Sequence, residues 1–235
     1  FMETNEARRA EIYSEINRAA QQAAEYSIPN EIDKIYNSMG GSGLNAHTWY
    51  EETVYKIGLP SNRMQQWAEL ESDRFVNPVF RLFHTELETV YEEKNRSLDN
   101  ADRIIGTAID ELLYKVHPYG QQPTIGTVDH LKNPSLVYIQ NYFDTYYVPN
   151  NMGIFISGDI NIEETISLIN DKFGDWEAKP VPEVGPWIEP PLQGAERRTV
   201  QYPGEEQVSI AFRTAENGHG DKEALILVDM ILDNR

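Results

Sequence analysis

The chain has 235 residues, 40% hydrophobic and 11% aromatic, enough to bury a sizeable core as one long domain or two short ones. A formal net charge of −18 with no basic cluster argues against nucleic acid and anionic membrane surfaces, and mildly favours cationic or peptide-like ligands. The absence of cysteine excludes disulfides, thiolate nucleophiles and cysteine zinc sites, and no apolar run approaches the roughly 20 residues that span a bilayer.

In chain order, Ile12, Ile16, Ala19, Ala20, Ala23 and Ala24 recur at helical spacing and predict a first helix over 4–26. A short second helix starts at about Asn30 and stops at Gly40, Gly41 and Gly43. The stretch "LNAHTWYEETVYKIGLP" is rich in strand formers and predicts two strands with a tight turn within 44–58. Ser61 or Asn62 caps the next helix, which Asn77 and Pro78 end, and a further helix runs from Val79 to about Ser97. The helical "NADRIIGTAIDELLYKV" leads into the loop "HPYGQQPTIG", and another helix begins at Pro134 and closes at Pro149. A strand over 151–157 precedes a helix capped by Asp159 or Asn161. Five prolines in "KPVPEVGPWIEPP" make 179–193 an extended strap, and strands over 197–203 and 206–214 precede an apolar last helix. Runs of helices and antiparallel strands give an α+β fold, a mixed or antiparallel sheet packed against helices. Position 1 is Phe and the last helix stops without a cap, so the expectation is a single incomplete domain over 1–235, part of a longer protein.

The stretch "HTELETVYEEKN" poses the chemical question. At about 100° per residue, Glu86 and Glu93 share an arc with Val79, Leu82, Phe83 and Val90, while Glu88 and Glu92 fall on the far side. A carboxylate on a core-facing arc needs a partner charge, strong donors or a metal. Seven residues separate the two by about 10 Å along the axis, too far to share a proton. That spacing suits one metal ligand with a second carboxylate further along a cleft. It equally suits two glutamates that reach an edge or meet Arg or Lys.

The other candidates are weaker. His47, His84, His117, His130 and His219 form no H-x-x-x-H or H-x-x-E-H pair. His84 is expected to face solvent and His117 to fix its loop. "SGDINIEE" lacks the spacing and glycine of a calcium loop and reads as a helix cap. No phosphate-binding loop, dinucleotide fingerprint or nucleophile-elbow serine occurs.

"ELETVYEE", the helix into "HPYG", "YYVPNNMGIFISGDI" and "INDKFGDW" together resemble the insulinase/pitrilysin family of zinc metallopeptidases, the inverzincins. The resemblance covers about 35–235, and makes residues 1–38 a helical insertion found in some members only. In that family an H-x-x-E-H helix is followed, about 70 to 80 residues later, by an E-x6-E helix whose second glutamate ligates zinc. The resemblance therefore implies that Glu93 binds zinc and that Glu86 supports the site without touching the metal. It implies that "GGSGLNAHTWY" is an edge strand on which Asn45 and Ala46 hold an extended peptide by its main chain.

One element of the pattern is absent: these 235 residues contain no H-x-x-E-H helix. Either an N-terminal segment is missing or the chain is a metal-free subunit. The resemblance implies a bacterial zinc endopeptidase that cuts peptides or short unfolded proteins between two similar halves. Its partners would be a peptide substrate, the missing N-terminal segment and a second homologous half. This chain alone is expected to be inactive and without zinc, and an extracytoplasmic address, periplasmic or lipid-anchored, is favoured. The alternatives are a noncatalytic peptide-binding or partner subunit, and an unrelated scaffold whose glutamates only form ion pairs.

Overall fold

The computed structural model describes residues 5–80, 82–132, 135–202, 204–216 and 218–233. Its elements are α1 (Glu6–Ala24), α2 (Glu31–Ser38), β1 (Ser42–Thr48), β2 (Thr53–Gly58), α3 (Met64–Val76), α4 (Phe83–Ser97), α5 (Ala101–Leu113), α6 (Val128–Lys132), α7 (Leu136–Tyr146), α8 (Ile162–Phe173) and α9 (Lys222–Asp233). They fall into two units: Phe1–Arg96 with Thr124–Pro186, and Ser97–Pro123 with Trp187–Arg235.

In the first unit, the Asn5 side chain accepts the Arg8 N–H at 3.1 Å and starts α1, none of whose residues is buried. Helix α2 ends as its glycines demand. Gly40 takes φ 81°, and the Gly41 N–H returns to the Tyr36 carbonyl at 2.8 Å, closing a Schellman turn. The chain then enters the hairpin. Strands β1 and β2 pair antiparallel with Asn45 opposite Lys56 and Ala46 opposite Tyr55. Ser61–Arg63 forms a 3-10 turn ahead of α3, so neither Ser61 nor Asn62 acts as its cap. Ala68 is fully buried where α3 packs on α8, and Lys172 reaches Glu69 at 3.6 Å. Asn161, rather than Asp159, caps α8 by accepting the Glu163 and Glu164 N–H groups at 3.1 and 3.2 Å. Helix α7 is capped by Ser135; the expected start at Pro134 lies outside the described residues.

The deepest polar contact of this unit lies between α2 and α3. Tyr36, 1% exposed, donates its hydroxyl to Glu71, and Glu71 in turn accepts from Arg74 at 2.7 Å. Burial and this hydrogen bond push the Tyr36 hydroxyl well above the usual phenol range. Both buried partners are thereby satisfied.

In the second unit, α5 starts at the Asn100 side chain, which accepts the Arg103 N–H at 3.0 Å. The turn after it needs glycine: a Cβ on Gly120 would lie 1.9 Å from the Tyr114 carbonyl oxygen. The His117 Nδ1 accepts the Tyr119 N–H at 3.2 Å, and its ring packs against Tyr119 and Trp187 at 4.1 and 4.8 Å, so His117 fixes its loop. From the strap, the Glu189 carboxylate accepts the N–H groups of Lys115, Val116 and His117 at 2.8, 2.7 and 2.5 Å.

The sheet is smaller than expected. Among the described residues it is the β1–β2 hairpin alone, and the stretches expected as strands over 151–157, 197–203 and 206–214 form no strand there. Phe155, Val208, Ile210 and Phe212 stand 96, 90, 76 and 77% exposed. An alternating apolar pattern sets an extended backbone, but a ladder also requires a neighbouring strand, and only the hairpin carries its partner close in sequence. The α+β class stands, with its helices dominant.

Candidate functional site

Strand β1 presents an open edge. Its one paired neighbour among the described residues is β2, and Asn45 and Ala46 lie side by side at its centre, both exposed. The Asn45 Oδ1 accepts the Ala46 N–H at 2.9 Å. The faces of the hairpin follow from its register. Directly opposed residues point their side chains to one face, so Ala46 and Thr48 share a face with Tyr55 and Thr53, and the Thr48 and Thr53 hydroxyls meet at 3.3 Å.

Helix α4 carries the two glutamates, and both are exposed. The expected core-facing arc does not form. Val79 and Leu82 precede the first helical residue, Phe83, and Leu82 has φ 55°, so the helical wheel cannot be extended back through them. Val79 and Val90 are 67 and 37% exposed. The inward stripe is instead Leu87, Tyr91 and Lys94, centred about 100° from Glu86 and Glu93 at 100° per residue. Glu88 and Glu92 are also exposed, and Arg96 lies 3.9 Å from Glu92. The expectation that His84 faces solvent concerns a side chain outside those described.

A pocket of ≈ 170 Å³ lies beside the hairpin, lined by Tyr55, Arg74, Phe75, Pro78, Val79, Phe80 and Phe143. Val79 and Phe80 precede α4 in the chain. The Tyr55 hydroxyl meets that of Tyr147 at 2.9 Å, and Phe75 and Phe143 both stack on the Tyr147 ring. Partial burial, followed by that hydrogen bond, pushes the Tyr55 hydroxyl above its usual range. The Arg74 guanidinium lies 4.8 and 4.6 Å from the ring centres of Tyr55 and Phe75, the geometry of a cation–π contact. No sequence motif announced this cluster. Its one local signal is the Glu71–Arg74 pair at i, i+3.

A catalytic zinc needs three protein ligands and an open position. Among the described residues no group of three or more His, Asp or Glu side chains is placed to hold a metal.

The profile described as the Peptidase M16 inactive domain matches residues 137–235. The chain is similar to the zinc protease PqqE of Helicobacter pylori, 29% identical over 217 residues, covering 86% of this chain and 47% of that protein. It is similar to the probable zinc protease PqqL of Escherichia coli, 27% identical over 166 residues, covering 67% of this chain and 18% of that protein. The crystal structure of the first half of the periplasmic protease PqqL from Escherichia coli superimposes with a TM-score of 0.61 at 25% identity, over 68% of this chain and 36% of that one. The chain thus spans less than half the length of these curated relatives.

Proposed function

We propose that the chain is part of a zinc peptidase of the M16, or insulinase/pitrilysin, family and that it supplies the peptide-holding hairpin and one metal-binding carboxylate of an endopeptidase. Glu93 is the zinc ligand in this reading, Glu86 orients and tunes the site without touching the metal, and Asn45 and Ala46 hold the substrate main chain. The observation that carries it is the open edge of β1, with both of those residues exposed. It is supported by the pocket shared between β2 and the segment entering α4. An edge strand recognises main chain, which suits peptides or short unfolded proteins of varied sequence.

The remaining zinc ligands and the general base would come from an H-x-x-E-H helix that this sequence does not contain. The complete enzyme would close around its substrate between this half and a second homologous half. An extracytoplasmic address is in keeping with the periplasmic relative, and no helix among the described residues is long and apolar enough to cross a membrane.

The test is zinc stoichiometry and peptide turnover in the complete protein. Glu93→Gln is expected to lose most of the metal and the activity. Glu86→Gln is expected to lower activity by about 10- to 100-fold while keeping most of the zinc. Full zinc and normal cleavage in Glu93→Gln would overturn the assignment. A second reading, a noncatalytic peptide-binding or partner subunit, draws on the matched profile being that of an inactive domain. It predicts a complete protein that binds peptide, carries no zinc and cleaves nothing.

A further inference from the structure

We infer that Arg74 is a positioning residue for peptide binding: paired with Glu71 on α3, it ties both strands of the β1–β2 hairpin to that helix and so fixes the free edge that β1 offers to a peptide main chain. This rests on the reading of β1 as the strand that holds substrate. The two ties use opposite ends of one ion pair. Glu71 serves the start of β1: its carboxylate accepts the Tyr36 hydroxyl, and the Tyr36 carbonyl accepts the Gly41 N–H at 2.8 Å, one residue before β1 begins at Ser42. That link has no slack, because a Cβ on Gly41 would lie 2.8 Å from the Tyr36 carbonyl oxygen and 3.2 Å from the Ile57 side chain of β2. Arg74 serves β2: its guanidinium lies 4.8 Å from the ring centre of Tyr55, which stands directly opposite Ala46. The hairpin is thus held to α3 at its beginning and at its middle.

The contact calls for a guanidinium. Its Nε and Nη2 both donate to one Glu71 oxygen, at 3.1 and 2.7 Å, while its centre stays within cation–π distance of the Tyr55 and Phe75 rings. A lysine ammonium is a point charge on a flexible stem, without the planar fork that serves the carboxylate and the rings together. Tyr55 is itself anchored at its hydroxyl, 2.9 Å from that of Tyr147, so its ring offers Arg74 a fixed face. Main-chain recognition depends on such placement, because N–H···O bonds weaken steeply once they are misaligned. A hairpin free to rock on α3 would have to be ordered at each binding event, whereas an edge fixed beforehand avoids that cost.

The test is fluorescence anisotropy with the full 235-residue chain, a labelled peptide of Ala and Ser, and the same peptide N-methylated along its backbone. Arg74→Lys is expected to weaken binding of the unmethylated peptide about fivefold or more, the effect of losing one part-buried cation–π contact. In a Tyr55→Leu background, where the ring is gone, the same substitution should cost less than about twofold, and in a Tyr55→Phe background, where the ring remains, it should keep most of its effect. N-methylation should weaken binding to the parent chain, and weaken it less in Arg74→Lys, because a displaced edge makes poorer hydrogen bonds. Amide exchange gives an independent readout: the amides that bond β1 to β2 should exchange faster in Arg74→Lys while those of α8 keep their protection. If N-methylation weakens binding to the parent chain but Arg74→Lys binds as the parent does, costs as much in Tyr55→Leu as in the parent, or loosens α8 as much as the hairpin, the positioning role is wrong and the reading of β1 stands. If no peptide binds, or N-methylation has no effect, the reading of β1 fails and the positioning role fails with it.

Discussion

At the scale of single residues, the tightest constraint lies between α2 and α3. Glu71 is 6% exposed and serves two donors, the Tyr36 hydroxyl and the Arg74 guanidinium. Removing it strands both. Breaking a fully buried ion pair costs about 3–5 kcal/mol, but the Arg74 side chain is 30% exposed and part of its charge is solvated. Glu71→Ala is therefore expected to cost about 2–4 kcal/mol, and Tyr36→Phe about 1–2 kcal/mol for the lost hydrogen bond. Chemical denaturation of both variants measures the two numbers. A Glu71→Ala loss smaller than that of Tyr36→Phe would refute the shared network. Residues were read from sequence with mixed success. Asn5, Asn100 and Asn161 act through local hydrogen bonds, and the role of Asn161 and the loop role of His117 were legible. The orientation of Glu86 and Glu93 was not, because Val79 and Leu82, which seemed to share their arc, precede the helix at the left-handed Leu82, and Val90 is exposed.

At the scale of elements, helices were legible and most strands were not. A helix carries its own period within the stretch that forms it, and α1, α5, α7 and α8 carry a side-chain cap there too, whereas a strand depends on a partner the local sequence does not name. The hairpin escapes that limit, since its strands are joined by a tight turn, with the Trp49 N–H bonded to the Glu52 carbonyl at 2.8 Å. The strap shows the opposite case. Its prolines marked it as extended, yet nothing local revealed that Glu189 would clamp three N–H groups more than 70 residues away. That clamp has a pH signature. Partial burial alone would raise the Glu189 carboxyl, but the N–H groups of His117, Val116 and Lys115, with Arg213 nearby, outweigh it and hold the group below the usual carboxylate range. A depressed folded-state value means that the clamp's stability is fully present above the unfolded value of 4.5 and is lost as pH falls through the lower folded value. Amide exchange at residues 115–117 should therefore lose protection relative to the α5 amides as pH falls below 4.5. In Glu189→Gln the same amides should be less protected at neutral pH, with that pH dependence gone. Equal protection across pH 3–7 in the parent chain would refute the clamp.

At the scale of the whole molecule, charge is the property the sequence states most plainly, and it bears on how a peptide would arrive. The formal net charge is −18. On α4 the exposed charge has the same sign: Glu86, Glu88, Glu92 and Glu93 are all exposed, whereas Lys94 is buried and Arg96 leans toward Glu92 at 3.9 Å. Charges of one sign lining an approach path steer oppositely charged ligands and raise association rates by about 10- to 1,000-fold at low ionic strength. Screening shortens that reach to about 8 Å at physiological salt. The contacts that hold a bound peptide would be short-ranged main-chain hydrogen bonds on β1, so salt should act on arrival more than on departure. For two peptides of equal length, one carrying several lysines and one several glutamates, the lysine peptide should associate faster at low salt by at least about tenfold. The advantage should shrink to within about threefold at 0.5 M salt, while the dissociation rates change little. Stopped-flow mixing with the chain resolves the two rates. Association that ignores both peptide charge and salt would mean that the acidity is spread evenly for solvation and plays no part in bringing substrate to β1.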